Sequence, residues 1–177
     1  PQLDFDRLKG KDYIGVAGEV FGLLAPDVPP VIMRALLRKS YTPAVFGTKE
    51  ITPLKQLDRG LYLLKLSEGP TLAFKDVPMQ FLGNLMEYAL NEQNRTLNVL
   101  GATSGDTGSA AAYALRRRKN ITLFMLSPFG RMSRFQQRQM YTLNEPNIHN
   151  LVVRGTFDDC QALVKAINAD AAFKEEF

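Results

Sequence analysis

Apolar residues recur with a helical spacing in the first part of the chain. In residues 13–24 they lie three or four positions apart, which predicts an amphipathic helix. A second short helix is predicted for residues 31–37, because Pro29 and Pro30 suit a first helical turn. Residues 42–53 are predicted to be a connection, and residues 61–66 a short strand. Residues 1–68 are therefore expected to form an N-terminal helical segment and the start of a large domain.

Helix and strand patterns alternate in the rest of the chain. Short apolar runs predict strands at residues 97–102, 121–126 and 150–153. Periodic patterns predict helices at residues 77–90, 107–118, 133–143 and 156–170. Thr156 with Asp159 three positions later is typical of a capping box. This alternation is typical of βαβ units, so we predict an α/β fold in which helices flank a parallel sheet.

Composition excludes several classes of protein. Of the 177 residues, 45% are hydrophobic and 23% are charged, which is typical of a globular domain. The single cysteine, Cys160, and the single histidine, His149, argue against a disulfide framework and a histidine- or cysteine-rich metal site. No apolar run is long enough to span a membrane, and no signal peptide is visible, so a cytoplasmic protein is expected. A chain that opens on Pro1 and closes in a partial helical pattern is expected to belong to a longer protein.

The segment Gly-Ala-Thr-Ser-Gly-Asp-Thr-Gly, residues 101–108, follows a predicted strand and begins a predicted helix. Backbone N–H groups and the helix dipole favour an anion at such a junction. The glycine spacing differs from the dinucleotide-binding and triphosphate-binding loops, and Ser104 does not lie in a hydrolase elbow. The Asp-Thr-Gly tripeptide of aspartic proteases requires an all-β setting, which is not predicted here. A simple strand-to-helix turn with closely packed glycines remains the alternative.

Lys75 lies between apolar residues just before a predicted helix. A lysine in apolar surroundings loses its charge more easily, as a Schiff-base lysine requires. A solvated lysine at a helix start is the alternative.

The basic cluster of residues 116–119 suits a helix C-terminus. This position explains the cluster structurally. A non-catalytic domain that binds anions or nucleic acid through the same cluster is the alternative from another functional class.

Taken together, these segments resemble the threonine synthase family. The sequences GPTLAFKD (residues 69–76) and ATSGDTGSAA (residues 102–111) are similar to the two signatures of that family. The later segments GRMS (residues 130–133) and GTFDDCQ (residues 155–161) also match its order and spacing. The resemblance covers nearly the whole chain from about residue 13.

The resemblance implies a two-domain fold type II enzyme that depends on pyridoxal 5'-phosphate. Such an enzyme converts O-phospho-L-homoserine and water into L-threonine and phosphate, the final step of threonine biosynthesis. By its motif, Lys75 is expected to hold the cofactor as a Schiff base and to transfer protons at Cα and Cβ of the substrate. The resemblance implies a small-molecule substrate and no metal, nucleic acid or membrane partner, and it leaves self-association open. A related lyase acting on a different phospho-amino acid remains an alternative.

The same resemblance assigns the loop between the predicted strand and helix to the substrate carboxylate. The residues expected to bind it are Thr103, Ser104, Gly105, Asp106 and Thr107. Asp106 occupies a position that is often Asn in related enzymes, near the 3-oxygen of the cofactor. Asp76 is expected to be a helix N-terminal carboxylate.

Two features depart from the family pattern. Ser67 and Glu68 stand where the family commonly has Phe-His. The glycine-rich loop for the cofactor phosphate and the partner of the pyridine nitrogen are not among these residues. Residues 69–177 are therefore expected to carry the lysine and the carboxylate loop but not the complete pocket, and this portion alone is expected to be inactive.

Overall fold

The computed structural model describes residues 2–176, which divide into two compact units. The first unit extends to Leu85 and the second begins at Met86. The chain passes from one to the other within helix α4, Asp76–Glu92.

The first unit consists of short helices and one hairpin. Its elements are a 3-10 helix (Phe5–Leu8), α1 (Tyr13–Leu24), α2 (Pro30–Ser40), α3 (Pro43–Phe46), β1 (Leu54–Asp58), β2 (Leu61–Leu64) and the start of α4. The bounds of α1 agree with the helix predicted from the sequence. Strands β1 and β2 form an antiparallel pair that begins with Leu54 opposite Leu64.

Helix α3 corrects the prediction of a plain connection over residues 42–53, and strand β1 lies in a stretch for which no element is predicted. Helix α3 forms because Pro43 suits its first turn and the Thr42 hydroxyl accepts the N–H of Val45 at 3.2 Å. Strand β1 leaves no pattern in the sequence because all five of its residues are exposed, so no alternation of buried and exposed positions marks it.

The core of the first unit lies between α2 and the start of α4. The Tyr41 ring packs edge-on against Tyr13, with centroids 4.9 Å apart, and its hydroxyl donates to the carbonyl of Val77 at 3.1 Å. The buried Asn84 amide donates to the Ser40 hydroxyl at 2.8 Å. These contacts fix the first turns of α4, the helix that begins directly after Lys75.

The second unit is built around a parallel sheet. In chain order its elements are β3 (Leu97–Ala102), α5 (Asp106–Leu115), β4 (Ile121–Pro128), α6 (Arg134–Tyr141), β5 (Ile148–Val153), α7 (Phe157–Ala169) and α8 (Ala171–Glu176). Strand β4 lies between β3 and β5, and both pairs are parallel. The predicted α/β architecture with helices flanking a parallel sheet is confirmed.

The central strand carries the most deeply buried side chains of the sheet. Ile121, Leu123 and Met125 alternate along β4 with exposed fractions of 1%, 0% and 4%. Helix α5 packs against β4, and its alanines allow close approach because they carry small side chains. Helix α7 packs across β3 and β4, and its predicted capping box is present, with the Thr156 N–H donating to Asp159 at 2.7 Å.

The topology brings two loops to one edge of the sheet. The loop from Thr103 to Gly105 follows the carboxyl end of β3, and the turn from Phe129 to Ser133 follows the carboxyl end of the neighbouring β4. Ligands of open parallel sheets bind at this edge. Within residues 2–176, no helix has both the length and the apolar character needed to cross a membrane. The same residues contain no group of three His, Cys, Asp or Glu side chains suited to a metal ion.

Candidate active site

The segment before Lys75 is wound around the carboxylate of Asp76. The Asp76 side chain is fully buried at the first residue of α4. One of its oxygens accepts the backbone N–H of Thr71 and the other accepts the Thr71 hydroxyl, both at 2.8 Å. This arrangement closes a short loop and places Lys75 at its end.

Two backbone features show how tightly this loop closes. A Cβ atom on Gly69 would overlap the Asp76 side chain at less than 3.0 Å, so only glycine fits beneath the carboxylate. Leu72 adopts a left-handed conformation with φ of 60°, which is costly for a residue with a bulky side chain. The loop therefore holds a strained conformation that the hydrogen bonds of Asp76 maintain.

The environment of Asp76 has opposing effects on its ionisation. Burial raises the pKa of the Asp76 carboxyl above its ordinary value of 3.8. Hydrogen bonds from the Thr71 hydroxyl and from backbone N–H groups of the loop partly oppose this shift, because they favour the charged form. The expectation of a helix N-terminal carboxylate gave no indication that this side chain is buried within the loop.

Lys75 itself is not part of this hydrogen-bonded cluster. Its side chain is half-buried, and its Nζ atom lies 5.5 Å from the centroid of the Phe74 ring. Among residues 2–176 its ammonium group has neither a carboxylate partner nor a hydrogen-bond acceptor. The neighbouring Leu72 and Phe74 are 60% and 53% exposed. The loop thus presents an amine without a polar partner, next to exposed apolar surface.

The second predicted segment is organised from within by Thr103. This residue is 1% exposed, and its hydroxyl oxygen accepts the N–H groups of Gly105 at 3.0 Å and Gly108 at 2.8 Å. Its own N–H donates to the carbonyl of Leu126 at 2.9 Å. A Cβ on Gly108 would overlap the Thr103 side chain at less than 3.0 Å. Thr103 therefore shapes the loop, because its hydroxyl and its backbone N–H both make hydrogen bonds within the protein.

The first turn of α5 leaves backbone donors available. The N–H groups of Ser104, Asp106 and Thr107 donate to no protein acceptor within the described part of the chain. Gly105 is the N-cap residue and offers no side-chain cap. Ser104 and Asp106 are exposed and Thr107 is half-buried. Unpaired N–H groups at the positive end of a helix form a site for an anionic group.

Gln136 of α6 contacts this loop, although sequence analysis did not identify it. Its Nε2 atom donates to Oδ1 of Asp106 at 2.7 Å. Its amide group also occupies the space where a Cβ of Gly105 would lie, and Gly105 has a φ of 152°. Gly105 must therefore be glycine for two reasons, its backbone conformation and the close approach of Gln136. The only signal in the sequence was the S-x-x-Q spacing from Ser133, which indicates a helix cap and not the contact to Asp106.

The remaining candidates are occupied by ordinary structural contacts. Cys160 is fully buried, and burial raises the pKa of its thiol. In the basic cluster, Arg118 pairs with Glu87 at 2.6 Å and Arg117 pairs with Glu145 at 2.9 Å. His149 stacks on Phe124 with ring centroids 4.9 Å apart. Lys75 lies in the first unit, whereas the five loop residues and Gln136 lie together in the second.

The chain is similar to known enzymes over nearly its whole length. A family model described as "Pyridoxal-phosphate dependent enzyme" matches residues 45–175. The threonine synthase of Corynebacterium glutamicum is 49% identical, over 99% of this chain and 38% of that protein. The crystal structure of pyridoxal-phosphate-bound threonine synthase from Brucella melitensis superposes with a TM-score of 0.88 at 40% identity, covering 99% of this chain and 38% of that one. Yeast threonine synthase gives a TM-score of 0.87 at 41% identity, covering 98% and 37%.

These comparisons confirm the resemblance noted from the two sequence motifs and the fold it implied. The chain spans less than two fifths of the length of these relatives. The matched family model includes both Lys75 and the loop that precedes α5, and it covers well over half of the chain. The chain belongs to the family of pyridoxal-phosphate dependent enzymes.

Proposed function

We propose that this chain is part of a threonine synthase, which converts O-phospho-L-homoserine and water into L-threonine and phosphate. The observation that carries the proposal is the 49% identity to a threonine synthase over 99% of the chain. Because the chain spans 38% of that relative, the activity is proposed for the full-length protein.

The residues of the first unit fit the covalent attachment of the cofactor. An amine without a polar partner among the described residues is the group that an aldehyde cofactor requires, and Lys75 supplies one. When bound, pyridoxal phosphate supplies an electron sink that stabilises negative charge next to the reacting carbons. In this proposal Lys75 attaches the cofactor, and its amine moves protons at Cα and Cβ of the substrate when it is not engaged in that attachment.

The loop before α5 fits the substrate carboxylate. The unpaired N–H groups of Ser104, Asp106 and Thr107 are donors that need no rearrangement to bind an anion. Gly105 lets the backbone approach the ligand closely. The hydroxyl of Thr103 is engaged with the backbone of its own loop, so we assign it the role of holding the donors in place. We also assign Asp106 a position near the 3-oxygen of the cofactor.

The overall reaction balances without a further reactant. Protons leave Cα and Cβ, phosphate leaves from Cγ, and Cγ takes up a proton to become the methyl group. The hydroxyl of a water molecule adds at Cβ, Cα regains a proton, and the remaining proton of the water goes to the released phosphate. We place this reaction in the cytoplasm, where phosphorylated amino acids are retained by their charge.

The experiment uses the full-length protein with O-phospho-L-homoserine. Phosphate and threonine are expected in equal amounts. Phosphate together with a keto acid would instead support a lyase that acts by simple elimination, and the absence of phosphate release would contradict both activities. Lys75→Ala is expected to abolish turnover and the absorption band of the covalently bound cofactor. Lys65→Ala is the matched control, because Lys65 only pairs with Glu68 at 2.6 Å near the surface and is expected to keep both signals.

A further inference from the structure

We infer that Gln136 is a positioning residue that holds the Asp106 carboxylate away from the N-terminus of α5. The inference rests on the proposed function of the loop before α5 as a carboxylate site. Asp106 places a carboxylate in the first turn of the helix whose unpaired N–H groups would bind the substrate carboxylate.

An acidic side chain in this position would ordinarily interact with the helix N-terminus itself. Carboxylates in the first turn are attracted by the dipole and often accept backbone N–H groups. The Asp106 carboxylate accepts no backbone N–H within residues 2–176. Its hydrogen-bond partner is Nε2 of Gln136, at 2.7 Å. Because this contact engages the Asp106 carboxylate, that carboxylate does not compete with the substrate carboxylate for the N–H donors of the loop.

The capping box of α6 fixes the orientation of the Gln136 amide. The Ser133 N–H can only donate, and it points to Oε1 of Gln136 at 3.3 Å. The Ser133 hydroxyl donates to the same oxygen at 2.9 Å, while the Gln136 N–H donates back to that hydroxyl at 3.2 Å. The oxygen of the amide is therefore committed to the cap, and its NH₂ group must face Asp106.

The same amide also determines the position of the loop backbone. It fills the space next to Gly105 that a side chain would otherwise occupy. Gln136 therefore contacts two consecutive loop residues, one through packing and one through a hydrogen bond to a carboxylate. Gln136 therefore links the start of α6 to the loop after β3.

An exchange of the two groups tests the inference in the full-length protein. Gln136→Glu keeps the capping box, since Glu serves this position as well as Gln, but it places two carboxylates opposite each other. Asp106→Asn alone provides the background for the comparison. The double variant, which combines Gln136→Glu with Asp106→Asn, restores one amide and one carboxylate with the original net charge. In that variant the amide at position 106 can donate to the carboxylate at position 136.

When Asp106 is kept, Gln136→Glu is expected to raise the KM for O-phospho-L-homoserine roughly tenfold or more, with a smaller effect on kcat. In the Asp106→Asn background the same substitution is expected to change KM by less than about threefold. The cofactor-free proteins supply a second measurement that does not depend on turnover. Gln136→Glu is expected to lower Tm when Asp106 is kept and to lower it less in the Asp106→Asn background. Thr156→Ala, which removes the capping hydroxyl of α7, is expected to lower Tm without raising KM.

The outcomes separate the inference from the proposed function. A wild-type enzyme that forms no threonine would contradict the proposed function, and the Tm comparison would still test the contact between positions 106 and 136. If the wild-type enzyme is active and Gln136→Glu leaves KM unchanged, Gln136 does not act as a positioning residue. Equal effects of Gln136→Glu on KM in both backgrounds would also overturn the inference, because the effect would then not pass through Asp106.

Discussion

Replacing Thr71 by valine isolates the hydrogen bond on which the lysine loop depends. Thr71 is 3% exposed, and its hydroxyl donates to the buried Asp76 carboxylate at 2.8 Å. Valine has nearly the same shape but cannot donate, so the substitution removes one donor and opens no large cavity. The backbone N–H of residue 71 still reaches the other carboxylate oxygen, at 2.8 Å in the wild-type loop.

The magnitude follows from the burial of the acceptor. A hydrogen bond to a charged group contributes about 1.5–3 kcal/mol, and leaving a buried acceptor with one fewer donor costs a similar amount. Thr71→Ser is the matched control. It keeps the hydroxyl and loses one buried methyl group, which costs about 1 kcal/mol. Thr71→Val is therefore expected to destabilise the protein more than Thr71→Ser does.

Urea unfolding of the cofactor-free, full-length protein at pH 7 measures both variants. The cofactor is removed because a bound ligand would add its own stabilisation to each variant. The two variants are compared by their midpoints at unchanged slope, since a changed slope would indicate a different unfolding transition. A Thr71→Val variant as stable as Thr71→Ser, or more stable, would refute the reasoning, because the hydroxyl would then contribute no more to stability than the methyl group does.

Two further predictions concern the same two loops. Because burial raises the folded-state pKa of Asp76, its contribution to stability is fully present below about pH 3.8 and is lost as the pH rises through the raised value. Wild-type protein is therefore expected to lose stability relative to Asp76→Asn as the pH increases from 4 to 7, as measured by urea midpoints, and the opposite trend would contradict the assigned cause. Gly108→Ala is expected to cost roughly 1–3 kcal/mol because its Cβ would overlap Thr103, whereas Gly22→Ala in α1, where the space is open, is expected to gain up to about 1 kcal/mol. Thermal unfolding compares them, and equal effects would argue against the close packing at Gly108.

The sequence was sufficient to predict the alternation of the second unit because its strands are marked by burial. Strand β3 has the predicted bounds, Leu97–Ala102, and β4 begins at the predicted Ile121. A central strand of a parallel sheet must be apolar, so its pattern is visible without any knowledge of its partners. Strand β1 has no buried residue and depends on pairing with β2, and pairing of this kind leaves little signal in a single sequence.

The candidate site was predicted only as far as its residues are close in the chain. The lysine segment and the loop before α5 could be identified as continuous motifs. The contact between Asp106 and Gln136 joins residues thirty positions apart, and it exists because β3 and β4 are neighbours that end at the same edge of the sheet. Register between strands, and hence the meeting of their loops, is set by tertiary packing that a local pattern does not encode.

Both motifs contain residues of two kinds, which the sequence does not distinguish. Thr71 and Thr103 are 3% and 1% exposed, and each directs its hydroxyl into its own loop. Lys75 and Asp106 are accessible and are placed by those inner contacts. A buried hydroxyl can fix a loop because leaving its partners unsatisfied would be costly, whereas an accessible side chain can meet a ligand because its polar atoms still reach solvent. The two threonines therefore affect the proposed chemistry by fixing the positions of the accessible groups. Conservative substitutions at Thr71 and Thr103 are expected to change the stability of the loops more than the chemistry of those groups.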